Sequence, residues 1–386
     1  MSPPGVISAA GIGLSALSRA VTAGDNAAMK RVQTKGGKEA VAARIDDEML
    51  HSSGGRYDMR VIQIENAALE QIAPAVEAAK AKYGAERIAV CVGSCDNGSE
   101  FSLAGHKAYF ETGAFPQTYD LEMQGADYVA SFVSEKYALS GISLAFTTAC
   151  SSSASALVKA AQFIRAGLAD AVIAGGVDIA SDTTLLGFGA LEAIASGKTN
   201  PMSKNRAGIT LGDAAAFFVL SREKISEESI VLAGWGESAD AHHITSPDPT
   251  GDGAARAMRA ALAHAGVSAE DIGYVNLHGT GTRLNDAMEA KAVVSVLGSD
   301  VLCSSTKSET GHTLGAAGAL EAAVCYALLT RGILPVQVWD GEKDEEIELY
   351  RIVDKTTHFE NNAINYCMSN SFAFGGANVS LIFSRT

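Results

Sequence analysis

The strongest constraint in this sequence is a repeated grammar: a short apolar run, a turn of small residues, then a long Ala-rich helix. RIAVCVGS (87–94) reads as a buried strand entering such a turn, and residues 125–138 carry the three-to-four-residue apolar spacing of a helix. SLAFTT (143–148) leads through Ala149 and Cys150 into SSSASALVKAAQFIRAG (151–167), whose serines suit a first helical turn and whose Gly167 suits a helix end. ADAVIAGGVD (169–178) is a further buried strand. The order returns after residue 250, with a helix over 253–266 closed by Gly266, a strand over 272–279 and a helix over 285–297. A strand over 301–306 and a helix over 313–332 ending at Gly332 follow, and 365–384 reads as two strands around a Gly-Gly turn. Strands alternating with helices predict an α/β protein of layered sheets. The segments around Cys150 and His312 share the same texture, which suggests a duplicated architecture with halves at 1–225 and 226–386. No Pro- or Ser-rich linker separates the halves, so they are expected to share an interface.

Composition excludes several functions. Thirty Lys and Arg against 44 Asp and Glu leave a net charge of -14, which repels phosphate backbones, so no nucleic-acid partner is expected. With 47% hydrophobic and 19% charged residues, the 386-residue chain has material for a large core, and its length suggests two domains. No uninterrupted apolar run approaches the roughly 18 residues of a membrane span, and the N-terminal segment lacks a basic start followed by an apolar block. The expectation is a cytoplasmic protein with no membrane partner. Six cysteines, at 91, 95, 150, 303, 325 and 367, are too sparse for a disulfide framework. Cys91 and Cys95 lack a second Cys/His pair at ligand spacing, so no structural metal is expected.

Cys150 is the leading candidate nucleophile. It sits between an apolar strand and the serines that open a helix, where unsatisfied N–H groups and the helix dipole favour a thiolate by about 0.3–2 kcal/mol. An inert buried thiol is the competing reading. His278 in LHGTGT and His312 in STKSETGHTLGAAG each follow an apolar strand among Gly and Thr, with Lys307 five residues before His312. A lone histidine at such a place is more often structural; two of them beside a cysteine suit one demand. Decarboxylation of a malonyl thioester develops charge on the thioester oxygen, which two neutral imidazole N–H donors stabilise. An ionised sulfur within reach of both rings is the expectation.

The segments TTACSSSAS, LHGTGT, SSTKSETGHTLGAAGALEA and SNSFAFGGAN resemble the signature blocks of beta-ketoacyl-[acyl carrier protein] synthases of the elongating type. The agreement in order and spacing extends from about residue 85 to the C-terminus and includes DAHHITSPDP and SKNRAGITLGDAAA. The resemblance implies the thiolase fold, two similar βαβαβαββ halves in an α-β-α-β-α arrangement. It implies that Cys150 carries the acyl chain as a thioester, that His278 and His312 promote decarboxylation, and that Lys307 supports them. Glu321 corresponds to an acid that orders the lysine, and Asp286 and Glu289 to acids on the helix after the first histidine. Phe374 corresponds to a gating residue whose N–H forms an oxyanion hole with that of Cys150, and Phe188 to an acyl-pocket residue. Glu321 and Asp286 as plain helix-surface acids, and Phe374 as a plain core aromatic, remain the alternatives. No metal or organic cofactor is implied, because the phosphopantetheine arm belongs to the acyl carrier protein that is the partner, loaded with acyl or malonyl groups. The implied assembly is a homodimer or a heterodimer with a paralogous subunit.

The sequence departs from that family pattern in places. Ala373 stands where Gly is common, predicting a stiffer gate, and Arg206-Ala207-Gly208-Ile209 replaces R-D-G-F. Glu192 stands near a usual basic position, so Arg56, Arg60 and Arg206 become the candidates for a carrier-protein patch, with ordinary surface charge as the alternative. These departures favour a specialised type II polyketide or polyene system over housekeeping fatty-acid synthesis. A thiolase would need a second reactive cysteine in C-x-G, whereas the last thiol is Cys367 in NYCMSN. Initiating condensing enzymes and chalcone-type synthases place Asn where His312 stands. A non-catalytic chain-length-factor-type partner is the remaining alternative, although such subunits generally lose the nucleophile that Cys150 supplies.

Overall fold

Ala171–Asp178 is buried at every position and Ala214–Ser221 at all but its last, so both must lie inside a sheet covered on its two faces. In the computed structural model, which describes residues 1–348, 351–357 and 364–386, they are central strands of a six-stranded sheet. Its order is Gly11–Ile12, Gly5–Ser8, Ala214–Ser221, Ala171–Asp178, Ile88–Gly93, Ser143–Phe146. Parallel pairing of Ile88–Gly93 with both of its neighbours brings the C-terminal ends of three strands to one edge, where Cys150 follows. The second sheet has five strands, in the order Ile230–Ala239, Ala377–Arg385, Tyr366–Phe372, Ile272–Asn276, Leu302–Ser304. The parallel strands Ile272–Asn276 and Leu302–Ser304 likewise deliver the His278 and Lys307 segments to one edge.

Between the sheets lie two helices, Ser152–Arg165 and Ala317–Arg331, which share one apolar cluster with the facing strands. Arg60–Tyr83 and Tyr128–Lys136 cover the outer face of the first sheet, and Asp252–Ala265 and Arg283–Leu297 that of the second. The result is the expected α-β-α-β-α layering. Ser153 Oγ accepts from Ala319 N at 2.9 Å, which ties the central helices together where their backbones approach. A Cβ at Gly318 would lie 2.8 Å from both the Cβ and the N of Ala154, so only glycine fits there. Gly318→Val should destabilise the fold by about 1–3 kcal/mol, seen as a lower urea midpoint at unchanged slope.

Most expected elements appear within a few residues of their predicted bounds. The last long helix starts later than expected, at Ala317, after a tight turn over Leu314–Ala316. The segment Leu314–Arg331 is long and apolar enough on average to cross a membrane, with mean hydropathy 1.2 over 18 residues, although Glu321 interrupts it, so it is not an uninterrupted apolar run. It is 89% buried between the sheets, which accounts for its composition. Helices Arg60–Tyr83, Ser99–Thr112 and Asp182–Ala190 were not anticipated. Nor was a small sheet of Lys30–Gln33, Glu39–Ala43 and Leu211–Gly212, whose last strand leads the chain toward His312.

Candidate active site

Cys150 sits on a short turn, Ala149–Ser151, between the edge strand of the first sheet and a central helix. Ala149 holds a left-handed backbone, φ 51°, which is uncommon for a residue with a Cβ. The serines read as a helix start stabilise this turn. Ser152 Oγ accepts from Thr148 N (3.0 Å) and donates to Ala149 O (2.6 Å), and Ser151 Oγ donates to Thr148 O (2.8 Å). The Cys150 sulfur is buried and lies 3.0 Å from His312 Nε2. Backbone N–H groups of Phe374 and of Cys150 itself also donate toward it.

The histidines are fixed through their backbones. Glu289 accepts from the N–H groups of His278 and Gly279, both at 2.7 Å, which holds the loop after Ile272–Asn276. His312 N donates to Thr210 O at 2.6 Å, and its carbonyl accepts from Gly212 N at 3.0 Å. The two rings stand 5.4 Å apart at 87°. Lys307 Nζ lies 3.5 Å from His278 Nδ1 and forms a buried ion pair with Glu321. An ammonium can only donate, so Nδ1 accepts from Lys307 and the single proton of the His278 ring sits on Nε2, free for a ligand. The sulfur and one nitrogen from each ring lie within 4.8 Å of one another. A Cys-His-His set resembles a zinc site in donor type, but an ammonium against the His278 ring suits a developing anion better than a second cation.

Burial dominates the electrostatics. It pushes both imidazoles well below their usual range, with Lys307 adding to the effect, so they are neutral at pH 7. It also pushes the Cys150 thiol up to about 11, against the pull of Lys307 and the two N–H groups. The expected ionised sulfur is therefore corrected. Desolvation outweighs the helix terminus, and the resting pair is a neutral thiol beside a neutral imidazole. Alkylation of Cys150 by iodoacetamide should keep rising about tenfold per pH unit above pH 8, because the thiolate is a minor species until about pH 11. A plateau between pH 7 and 8 would contradict this. Glu321 is raised to about 7 by burial even against Lys307, and Glu289 to about 8 despite its two N–H donors.

A cavity of about 440 Å³ opens onto these groups. Phe188 and Phe374 both line it, their rings 5.7 Å apart and tilted by 39°. Phe374 rides on the hairpin turn between Tyr366–Phe372 and Ala377–Arg385, where Gly375 and Gly376 take positive φ. Ala373 does not take positive φ, so its Cβ is accommodated in this state of the hairpin.

Residues 15–225 match the beta-ketoacyl synthase N-terminal domain and residues 230–338 match its C-terminal domain. The chain belongs to the beta-ketoacyl synthase family. The 3-oxoacyl-[acyl-carrier-protein] synthase 2 of Vibrio cholerae is 37% identical over 320 residues, covering 78% of this chain and 76% of the relative. That of Staphylococcus aureus (strain COL) is 31% identical over 316 residues, with the same coverage. A solved ketosynthase (ApeO) in complex with its chain length factor (ApeC), from Xenorhabdus doucetiae, superposes with TM-score 0.93 at 36% identity. That match covers all of this chain and 97% of the solved one. A beta-ketoacyl synthase from Burkholderia phymatum superposes with TM-score 0.85 at 27% identity, covering 100% and 98%. The layered architecture is the thiolase fold.

Within this beta-ketoacyl synthase, Asp286 does not touch the imidazoles. Its buried carboxylate accepts from Met202 N (2.8 Å) and Gly281 N (3.2 Å), which braces the loop after His278. The three arginines considered for a carrier-protein patch are each ion-paired. Arg206 is buried and ion-paired with Asp344, Arg56 pairs with Glu122 and Glu135, and Arg60 pairs with Asp47 and Asp213. None of the three lines the cavity. Glu192 does line it, at φ 55°. Sequence reasoning missed Asp178, whose Oδ2 accepts from Cys95 N and Gly315 N at 2.7 Å each, pinning the turn after His312 to the first sheet. A lone acid closing an otherwise apolar strand was the available signal.

Proposed function

We propose that this synthase joins a malonyl unit to an acyl chain held on Cys150, releasing carbon dioxide and 3-oxoacyl carrier protein. The observation that carries the reading is the sulfur 3.0 Å from His312 Nε2, with His278 and two backbone N–H donors converging on the same point. In the first half-reaction the Cys150 proton passes to His312 as the sulfur attacks the acyl thioester, and then leaves with the carrier thiol. The oxyanion of the tetrahedral intermediate meets the N–H groups of Cys150 and Phe374. In the second, the acylated sulfur no longer donates to His312, whose single ring proton moves to Nε2, and the malonyl thioester loses carbon dioxide while its oxygen accepts from His278 and His312. The resulting carbanion equivalent attacks the Cys150 thioester, and the released sulfur takes up one proton. Lys307, held by Glu321, keeps the His278 proton on the substrate side, while Phe188 and Phe374 border the acyl path. The division at 1–225 and 226–386 fits this chemistry, since the nucleophile comes from the first half and the imidazoles from the second. We place the enzyme in the cytoplasm.

A discrete-subunit polyketide or polyene pathway is favoured by the full-length match to a ketosynthase solved with its chain length factor. That match equally favours assembly with a paralogous subunit, and it keeps a chain-length-factor-type role as the second reading. Reconstitution with acyl and malonyl carrier proteins, alone and with a paralogue, separates these. The enzyme reading expects 3-oxoacyl product that depends on Cys150, in a homodimer or heterodimer as light scattering reports. Full product from a heterodimer carrying Cys150→Ala in this chain would assign it the partner role instead.

A further inference from the structure

Arg283 is the one lysine or arginine among the described residues lining the cavity that leads to Cys150. The other arginines considered for substrate recognition are held in ion pairs, but the exposed Arg283 guanidinium makes no hydrogen bond or ion pair among the described residues. The carboxylate that senses its charge, Asp344, is already paired with Arg206. Arg283 is also the first residue of the 15-residue helix Arg283–Leu297, where the positive end of the dipole disfavours a cation. The one acid of that first turn, Asp286, is buried and engaged with backbone N–H groups. An unpaired guanidinium on a helix N-terminus at a cavity is a site that an anion would complete. Glu192 and Asp240, also in the lining, disfavour the anion beside them and leave Arg283 as its place.

We propose that Arg283 binds the phosphate of the phosphopantetheine arm as it threads toward Cys150, with the carrier protein as the source of that arm. The inference rests on the condensing reading above and adds a positioning residue to it. The test compares loading of Cys150, by intact mass and rate, from two thioesters of the same acyl group: acyl-phosphopantetheine and acyl-pantetheine, which lacks the phosphate. Arg283→Ala should raise KM for the phosphorylated thioester roughly tenfold more than for the other, with Arg283→Lys recovering part of the difference. Equal losses on both thioesters, or no loss on the phosphorylated one, would overturn the proposal. Coenzyme A carries the same phosphate, so native enzyme is also loaded from acyl carrier protein and acyl-coenzyme A at equal concentration. Faster loading from the carrier is expected, and faster loading from coenzyme A overturns the carrier as the source. If neither small thioester nor the carrier loads Cys150 in the native chain, the condensing reading fails and takes this inference with it.

Discussion

Cys150→Ala should leave no acyl adduct on the protein and lower condensation by about 10⁴-fold or more. The reason is positional as much as chemical. The sulfur sits where His312 Nε2 and the N–H groups of Phe374 and Cys150 converge, and no other thiol shares that point. Cys91, Cys303, Cys325 and Cys367 are buried within apolar clusters away from the cavity, and Cys95 does not line it. Burial drives the Cys91, Cys303 and Cys325 thiols far up as well, without a neighbouring imidazole to take a proton. Stopped-flow or quenched loading from an acyl carrier protein, read by intact mass, checks this. An adduct of unchanged rate on the variant would mean that the nucleophile has been misassigned.

The second large effect separates the two histidines. His278→Ala should cut release of carbon dioxide from the malonyl substrate by about 10²–10³-fold, the usual cost of losing one oxyanion donor. Acylation of Cys150 should fall far less, because His312 rather than His278 stands against the sulfur. His312→Ala should depress both half-reactions, since its ring serves the thiol in one and the malonyl oxygen in the other. Measuring acyl-adduct formation and carbon dioxide release on each variant gives the split directly. Equal losses in both steps for His278→Ala would show that the two rings do not divide the work as their geometry indicates.

Local patterns in the sequence make the candidate site legible. Cys150, His278, Lys307 and His312 each follow an apolar strand among small residues, and strands that pair in parallel carry their C-terminal segments to a common edge. The roles of distant partners were not readable in this way. Arg60 meets Asp213 and Arg206 meets Asp344 across more than a hundred residues, so these two apparent surface cations are already paired. The charge state of Cys150 is not legible locally for a related reason. A helix terminus is a local feature, whereas desolvation depends on the Phe374 hairpin and the second sheet closing over the sulfur. Helix Arg60–Tyr83 had a regular stripe at Val61, Ile64, Ala68, Ile72 and Val76, but Pro74 within it reads as a breaker. Arg283 carries no such signal, because one arginine beside a Thr-rich loop has no pattern of its own.

The most direct test is a single-turnover chase. Native protein loaded with one acyl group is mixed with malonyl carrier protein, and the mass at Cys150, the carbon dioxide and the 3-oxoacyl carrier are followed together. Loss of the adduct from that cysteine in step with one equivalent of each product is the predicted result. An adduct that persists while product accumulates, or one that maps to a different side chain, would contradict the account.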